Sequence, residues 1–323
     1  MSDDIPILLK NPAVHDAARG YIYSDEDAKR LDHLLTIAPA TGCVEALRQV
    51  YGSDSEMFRY TTRAPAFLDL LGLQPSHVVL EIGPGLGQFT PSLAARAGLV
   101  HAFEVVPAQA RFTRLRCAEA GAANVHVACG GDDCRLPYPD RHFDTVVMNL
   151  VLEWCASRDI GGSFPAGQAR LIREAARVLK PGGLLFVCTK NRFAIRYLLG
   201  GRDEHAFQLR FGHALPHPLL AAVRWLTGRG RSIGYLHSPR GLRRLLEGNG
   251  FADVSMYCPL PDPRYPTAYV PANSRALETV RARGYPALAE ERIACRISRL
   301  LPATVLPHVT YGVAALGRSP AAA

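Results

Sequence analysis

A glycine-rich turn between a short apolar strand and a helix is the feature of this sequence that most constrains its fold. Residues 77–82 (HVVLEI) predict a buried strand, and the chain then runs through Gly83, Gly85 and Gly87 into a predicted helix at 88–97. Glycines there let the backbone turn sharply and let a ligand lie against the main chain beside the helix N-terminus. The spacing is G-x-G-x-G, whereas turns that seat a pyrophosphate are spaced G-x-G-x-x-G. The turn therefore favours a ligand that has no pyrophosphate.

Strands and helices alternate along the middle of the chain. Further strands are predicted at 99–104, 124–128, 143–148 and 184–188, and helices at 108–120 and 167–179. Such alternation is typical of right-handed βαβ crossovers, which give a parallel sheet covered by helices on both faces. The alternation breaks after residue 190 and resumes with a helix at 239–248 and strands at 254–258 and 309–315. The predicted fold class is α/β.

These patterns divide the chain into four segments. Residues 1–70 contain helical patterns and no convincing strand, so they predict an N-terminal helical cap, and 71–190 form the ligand-binding core. Residues 191–238 predict a basic lid insertion, and 239–323 complete the sheet and include a second insertion at 261–308. Both insertions are too long for simple loops, so we expect them to fold over the sheet.

Acidic residues follow the next two predicted strands. Glu104 ends the second strand, 21 residues after Gly83, and the third strand runs into Asp132 and Asp133. A carboxylate at the first position can accept both hydroxyls of a ribose, and one at the second can accept from an exocyclic amine. Because the turn and these acids fall at three successive strand ends, where open α/β sheets bind ligands, they predict one nucleoside site.

Positive charge is concentrated in one segment. The net charge is +8, and residues 190–250 alone hold eleven Lys or Arg against three acidic residues. This indicates an anionic partner: a phosphorylated small molecule, an anionic lipid surface that the protein binds weakly, or nucleic acid. The alternative is an arginine-rich codon bias expressed on solvated helix faces.

Cysteine usage and hydropathy exclude other classes of protein. The eight cysteines include no C-x-x-C pair, so we expect neither a zinc site nor a disulfide scaffold, and no metal. No apolar stretch approaches the roughly 18 residues that a membrane-spanning helix needs. The acidic N-terminus is unlike a secretory signal, so we expect a soluble, cytoplasmic protein.

Residues 75–190 resemble the class I S-adenosylmethionine-dependent methyltransferases. The segment from Glu81 to Gly87 resembles that family's first motif, Glu104 its ribose acid, 131–144 its adenine-edge segment and 179–183 the turn before its fifth strand. The resemblance implies a Rossmann-like sheet of seven strands with the last antiparallel, S-adenosylmethionine as cofactor and S-adenosylhomocysteine as product. It also implies residue roles. Asp132 would meet the adenine amine with Val105 and Asp133 flanking the ring, Glu81, Gly83, Gly85 and Gly87 would hold the methionine part, and Asn149 would face the methyl group.

A narrower resemblance extends past the core. Asn191-Arg192, Tyr197, Gly200 and 203–205 (Asp-Glu-His) are similar to a pattern of bacterial methyltransferases associated with surface polysaccharides, although Ala206-Phe207 replaces their usual Thr-Gly. A hydroxyl acceptor needs a base. The resemblance implies that His205 is that base and that Asp203 or Glu204 orients its ring; the alternative is a solvated loop histidine.

Three classes of function follow. The favoured one is a methyltransferase that acts by in-line transfer to oxygen or nitrogen of a small-molecule or saccharide acceptor, anionic or phosphate-bearing. The second is an RNA methyltransferase, because the first motif also resembles that of the ribosomal RNA adenine dimethyltransferases. However, Asn149 is followed by Leu-Val-Leu and not by the Pro-Pro-Tyr that flanks a flipped base. The third is a non-catalytic protein that binds the cofactor.

Overall fold

The computed structural model describes residues 5–10, 25–155, 163–206, 208–227, 234–284 and 292–321. These ranges contain nine strands: β1 (Ile7–Leu8), β2 (Val78–Ile82), β3 (Leu99–Glu104), β4 (Val125–Gly130), β5 (Phe143–Asn149), β6 (Leu179–Lys190), β7 (Ala252–Leu260), β8 (Ala268–Pro271) and β9 (Gly312–Arg318). All belong to one sheet, in the order β1-β4-β3-β2-β5-β6-β9-β7-β8.

Helices surround this sheet. The described ranges contain α1 (Asp25–Thr41), α2 (Cys43–Tyr51), α3 (Glu56–Thr62), α4 (Leu68–Leu71), α5 (Thr90–Ala94), α6 (Pro107–Glu119), α7 (Phe164–Val178), α8 (Ile195–Leu198), α9 (His217–Thr227), α10 (Pro239–Glu247), α11 (Ser274–Arg283), α12 (Arg292–Leu300) and α13 (Leu306–Val309). The predicted fold class, α/β with helices between parallel strands, is confirmed.

Strand direction is uniform from β1 to β6 and alternates beyond β6. The pairs from β1 to β6 are all parallel, whereas β9 runs antiparallel to both β6 and β7. The antiparallel last strand is therefore confirmed. This strand, β9, lies between β6 and β7, so the C-terminal part of the chain completes the sheet.

The sheet has two strands more than the seven that were predicted. β1 pairs with β4 through Ile7 and Leu8 only, and two residues are too few to show an alternating pattern, so the segment 1–70 is not wholly helical. β8 lies inside the expected insertion at 261–308 and pairs antiparallel with β7. Both extra strands lie at the edges of the sheet, where pairing with one neighbour is sufficient.

Separate apolar cores cover the two faces of the sheet. The apolar face of α7, with Leu171, Ile172 and Ala175, packs with α10 on one face. On the other face, Phe67 stacks on Phe186 with ring centroids 4.6 Å apart. Helices α7 and α10 are amphipathic, which is why the sequence pattern located them.

The cap helices reach the glycine turn. Leu34 of α1 and Leu47 of α2 form a buried cluster with Phe112 of α6 and with Leu86 of the turn itself. This packing fixes the N-terminal helices over the carboxyl ends of the central strands. The end of α2 and the whole of α3 are thereby brought to the predicted ligand site.

Candidate active site

The three glycines after β2 all have left-handed backbone conformations. Their φ angles are +67° at Gly83, +60° at Gly85 and +67° at Gly87. A Cβ added at Gly83 would lie 2.4 Å from Cγ2 of Val151, so both the conformation and the space require glycine. Because β2 pairs with β3 on one side and β5 on the other, the turn lies where open α/β sheets bind ligands.

The side chain of Glu104, at the end of β3, is hydrogen-bonded to the glycine turn that follows β2. Its Oε2 accepts a hydrogen bond from the N–H of Gly85 at 2.9 Å, and its Oε1 accepts from the N–H groups of Val105 and Val106 at 2.8 and 3.0 Å. Only 4% of the residue is exposed. The carboxylate is thus held in place by the backbone that would surround a ligand.

A cavity with two lobes lies over this turn. The larger lobe, about 350 Å³, is bordered by the glycine turn, Glu104 and Asn149. The smaller, about 90 Å³, is mainly apolar. The two lobes share Gly83, Val105, Val151 and Trp154 as wall residues, so they adjoin, and the larger one has the size usual for small-ligand sites.

The two aspartates predicted to lie at the adenine, Asp132 and Asp133, point to different sites. Asp132 lines the smaller lobe together with Val105, and its Oδ1 accepts from the N–H of Lys10 at 3.2 Å. The side chain of Asp133 instead forms an ion pair with Lys10 at 2.8 Å, and the residue lines an adjoining groove. The structure therefore brings Asp132 and Val105 to the cavity and leaves Asp133 outside it.

Glu81 lies beneath the turn and lines neither lobe. Its Oε2 accepts from the hydroxyl of Thr90 at 2.6 Å, and burial raises its pKa to about 7 although this hydrogen bond lowers it. Since Thr90 begins α5, Glu81 supports the helix that follows the turn. It is placed to position the turn, and its contact with the methionine part stays a prediction.

The wall of the larger lobe includes buried polar atoms that lack hydrogen-bond partners. Within the described residues, Oε1 of Gln88, Nδ2 of Asn149 and Oε1 of Glu153 have no hydrogen-bond partner, and all three residues line the lobe. Buried polar atoms in native proteins are nearly always paired. Three such atoms around one cavity indicate that a polar ligand completes their hydrogen bonds.

Glu153 is the most unusual of these groups. It lies in a 3₁₀ turn (Leu152–Trp154) directly after β5, and only 1% of it is exposed. Its Oε2 accepts from the hydroxyl of Thr189 at 2.8 Å. Burial raises its pKa to about 7, although this hydrogen bond and the Lys190 charge lower it. No sequence motif indicated Glu153. The one local sign of a functional role is that it is an acidic residue within the apolar run that follows Asn149.

The predicted catalytic group lies apart from the cavity. His205 is 3% exposed and packs against Trp154 with ring centroids 4.4 Å apart, but neither lobe's lining includes it. Trp154 lines both lobes, so His205 contacts a wall residue of the cavity without lining it. The side chain of Glu204 lies outside the described part of the chain.

Asp203 forms a buried hydrogen-bonded cluster. Its Oδ2 accepts from Lys190 Nζ at 2.9 Å and from the Tyr197 hydroxyl at 2.8 Å, and its Oδ1 accepts from the His205 N–H at 3.0 Å and faces His213 Nε2 at 3.2 Å. The Lys190 ammonium and the hydrogen bond from His213 hold its pKa well below the usual value, against the effect of burial. Asp203 therefore fixes Lys190, which does line the larger lobe.

The described residues of the basic segment contribute little to the wall of the cavity. Lys190 is the one residue among its described cationic side chains that lines either lobe. Arg192 donates to the carbonyls of His213 and Leu215 instead, and Arg202 and Arg210 are exposed. Residues 207 and 228–233 of the expected lid lie outside the described part, and the lid role of 191–238 stays a prediction.

The outer wall comes from residues that the sequence did not indicate. Tyr51 of α2, Met57 and Tyr60 of α3 and Arg264 line the larger lobe. Arg264 is held by Asp262 at 2.8 Å and by Glu56. These residues are separated by about 200 positions, so only the folded chain brings them together.

Two further observations concern metal binding and membrane insertion. In the described residues, His, Cys, Asp and Glu side chains form no group of three or more that could hold a metal ion. None of the described helices is long and apolar enough to cross a membrane.

Residues 80–187 match the sequence family described as a methyltransferase domain. The chain is 32% identical over 164 residues to a biotin biosynthesis bifunctional protein of Cellvibrio japonicus, covering 50% of this chain and 28% of that protein. It is 31% identical over 119 residues to the demethylmenaquinone methyltransferase of Tropheryma whipplei, covering 37% and 44%. It is 28% identical over 146 residues to a ubiquinone/menaquinone biosynthesis C-methyltransferase of Hydrogenovibrio crunogenus, covering 44% and 53%. The chain thus spans at most about half the length of these relatives.

Proposed function

We propose that this chain, whose residues 80–187 match the methyltransferase-domain family, is a class I S-adenosylmethionine-dependent methyltransferase acting on a small-molecule or saccharide acceptor. One observation carries the proposal. Two adjoining lobes lie along neighbouring strand ends: an apolar one lined by Asp132, and a larger one lined by Glu104, the glycine turn, Asn149 and Glu153. Together their linings match a nucleoside joined to an amino acid, with further space for an acceptor.

The residues present fit the cofactor. Asp132 and Val105 would hold the adenine, and Glu104 would accept from the ribose hydroxyls. Oε1 of Gln88 is an acceptor and Nδ2 of Asn149 a donor, and both lack partners among the described residues. An ammonium and a carboxylate on the methionine part would satisfy these two atoms.

When bound, the cofactor supplies a methyl group on a sulfonium sulfur, an electrophile that needs no further activation. What the protein must add is alignment of the nucleophile and exclusion of water. Val151 and Trp154 border both lobes and supply apolar walls. Tyr60 and Met57 of the cap face the same space, so we propose that the cap shares in acceptor recognition.

The charges in the larger lobe bear on the acceptor. Lys190 and Arg264 are its described cations, and each is already paired with a carboxylate, while three carboxylates, Glu56, Glu104 and Glu153, also line it. We therefore propose an acceptor whose reacting group is uncharged. An anionic or phosphate group elsewhere on the acceptor would lie towards Lys190 and Arg264.

The proposal is tested in two steps. Calorimetry should detect binding of S-adenosylhomocysteine and no binding of NAD. The protein is then incubated with methyl-labelled S-adenosylmethionine and either a small-molecule cell extract or total RNA. Label in the small-molecule fraction supports the proposal. Label confined to RNA would favour the RNA methyltransferase, and binding without any transfer would favour the non-catalytic alternative.

A further inference from the structure

We infer that Glu153 is the general base that removes the proton from a hydroxyl acceptor, and that the methyl group is transferred to that hydroxyl oxygen. The inference rests on the proposed function, which does not itself assign a base. It replaces His205, the histidine favoured from the sequence, by a carboxylate on the turn after β5.

The position of Glu153 meets the geometric requirement. Asn149, at the end of β5, and Trp154, next to Glu153, both line the cavity, and Glu153 itself lines its larger lobe. A general base must reach the acceptor proton directly or through one water. His205 packs against Trp154 and lines neither lobe, and so it lacks this access.

The two carboxylate oxygens have different environments. Oε2 is held by the Thr189 hydroxyl at 2.8 Å, which fixes the orientation of the group. Oε1 is buried and has no hydrogen-bond partner within the described residues. One oxygen is therefore anchored while the other remains able to accept a proton from a bound ligand.

Burial and the neighbouring charges together set the pKa of Glu153 close to neutral pH. Burial raises the pKa of Glu153 to about 7; the Lys190 charge lowers it and the Asp203 charge raises it. Lys190 is itself held by Asp203 at 2.9 Å, and Arg264, Glu56 and Glu104 are the other charged groups lining the lobe. A base whose pKa lies near the working pH combines a large ionised fraction with a high proton affinity.

The proton and electron balance is complete without another reactant. A lone pair of the acceptor oxygen forms the bond to the methyl carbon while the carbon–sulfur bond breaks and its electrons stay on sulfur. The acceptor proton moves to Oε1 of Glu153, which becomes a neutral carboxylic acid and returns the proton to solvent after the product leaves. A carboxylate or neutral amine acceptor would need no such base, so the geometry points to a phenol, enol or alcohol.

The first measurement needs no acceptor. Infrared difference spectra of the S-adenosylhomocysteine complex between pH 5 and pH 9 should show a carboxylic acid band that titrates near pH 7. Glu81, with a pKa also raised to about 7, contributes a second band, so the assignment uses variants. Glu153→Gln should remove one band, Glu81→Gln the other, and His205→Gln neither. A spectrum unchanged by Glu153→Gln would overturn the inference.

The second measurement is single-turnover methyl transfer to the small-molecule extract. Glu153→Gln should lower the rate by roughly 10²–10⁴-fold and abolish its rise with pH, with S-adenosylhomocysteine affinity within about twofold of the parent. The exposed carboxylate control Glu247→Gln should leave the rate unchanged. A Glu153→Gln rate within a few-fold of the parent rejects Glu153 as the base. If instead neither protein binds S-adenosylhomocysteine, the proposed function itself has failed.

A conservative variant keeps the test valid if the glutamine does not fold. Glu153→Asp retains a carboxylate on a shorter side chain, so it should transfer methyl more slowly than the parent and keep a rate that rises with pH. A pH-independent rate in Glu153→Asp would contradict the inference as directly as an active Glu153→Gln.

Discussion

The carboxylate of Glu104 holds the backbone of Gly85, which lies 19 residues earlier in the chain, through a 2.9 Å hydrogen bond. The contact is possible because β2 and β3 pair in parallel with Ile82 opposite Phe103, so the two strands end at the same level. A charged acceptor bonded to a backbone N–H forms a strong, short hydrogen bond. The acid expected to bind a ribose therefore also fixes the turn beside it.

Replacing Glu104 should weaken cofactor binding through both roles. Glu104→Ala is expected to reduce S-adenosylhomocysteine affinity by about 1–3 kcal/mol, or about 5- to 150-fold, because it leaves buried donors without a partner. Isothermal calorimetry gives the affinity directly. Asp69→Asn, on an exposed side chain, serves as the control, and an unchanged affinity in Glu104→Ala would remove Glu104 from the site.

Gly83→Ala should disrupt the turn by a steric clash. The new Cβ would lie 2.4 Å from Cγ2 of Val151, whereas at Gly182, which also has positive φ, it would meet nothing within 4 Å. We expect Gly83→Ala to lose cofactor binding and Gly182→Ala to retain it, at a stability cost of about 1 kcal/mol. Val151→Ala combined with Gly83→Ala should recover part of the binding. Equal affinities in the two single variants would show that the close approach is unimportant.

Asp203→Asn should be strongly destabilising. It leaves the Lys190 ammonium buried without its counter-ion, a change that typically costs about 3–5 kcal/mol. Because the pKa of Asp203 is lowered in the folded state, its stabilising effect is present above about pH 4, the unfolded value, and is lost as pH falls through the lower folded value. Urea unfolding should show a large difference at pH 7 that shrinks in acid. Asp253→Asn, on an exposed residue, should differ little from the parent at either pH.

Glu153→Gln should raise stability in alkaline solution. A carboxyl whose folded pKa is raised to about 7 stabilises the fold most below its unfolded pKa of about 4.3, and that contribution is lost as pH rises through 7. At pH 8 the variant should therefore be more stable than the parent by about 1–3 kcal/mol, and the two should converge near pH 4. Urea unfolding at both pH values measures this. Lower stability of Glu153→Gln at pH 8 would mean that the ionised carboxylate is favoured in the fold.

Local patterns in the sequence determined the α/β fold and half of the site. The strand at 99–104 was located to the residue, and Gly83, Glu104 and Asp132, which were predicted to share one site, line the two adjoining lobes. The reason is that each of these residues ends a parallel strand. In a parallel sheet the carboxyl ends share one edge, so order along the chain predicts proximity in space.

Tertiary structure alone decided the other half. Glu153, Lys190 and Arg264 line the same lobe, but they come from a turn, a strand end and a loop that no local pattern relates. His205 carried a stronger chemical signal in the sequence than Glu153, yet it lines neither lobe and packs against Trp154 instead. Which polar side chain is buried with an unpaired atom depends on the packing of distant segments. For that reason the proposal of Glu153 as the base rests on the folded chain and not on the sequence.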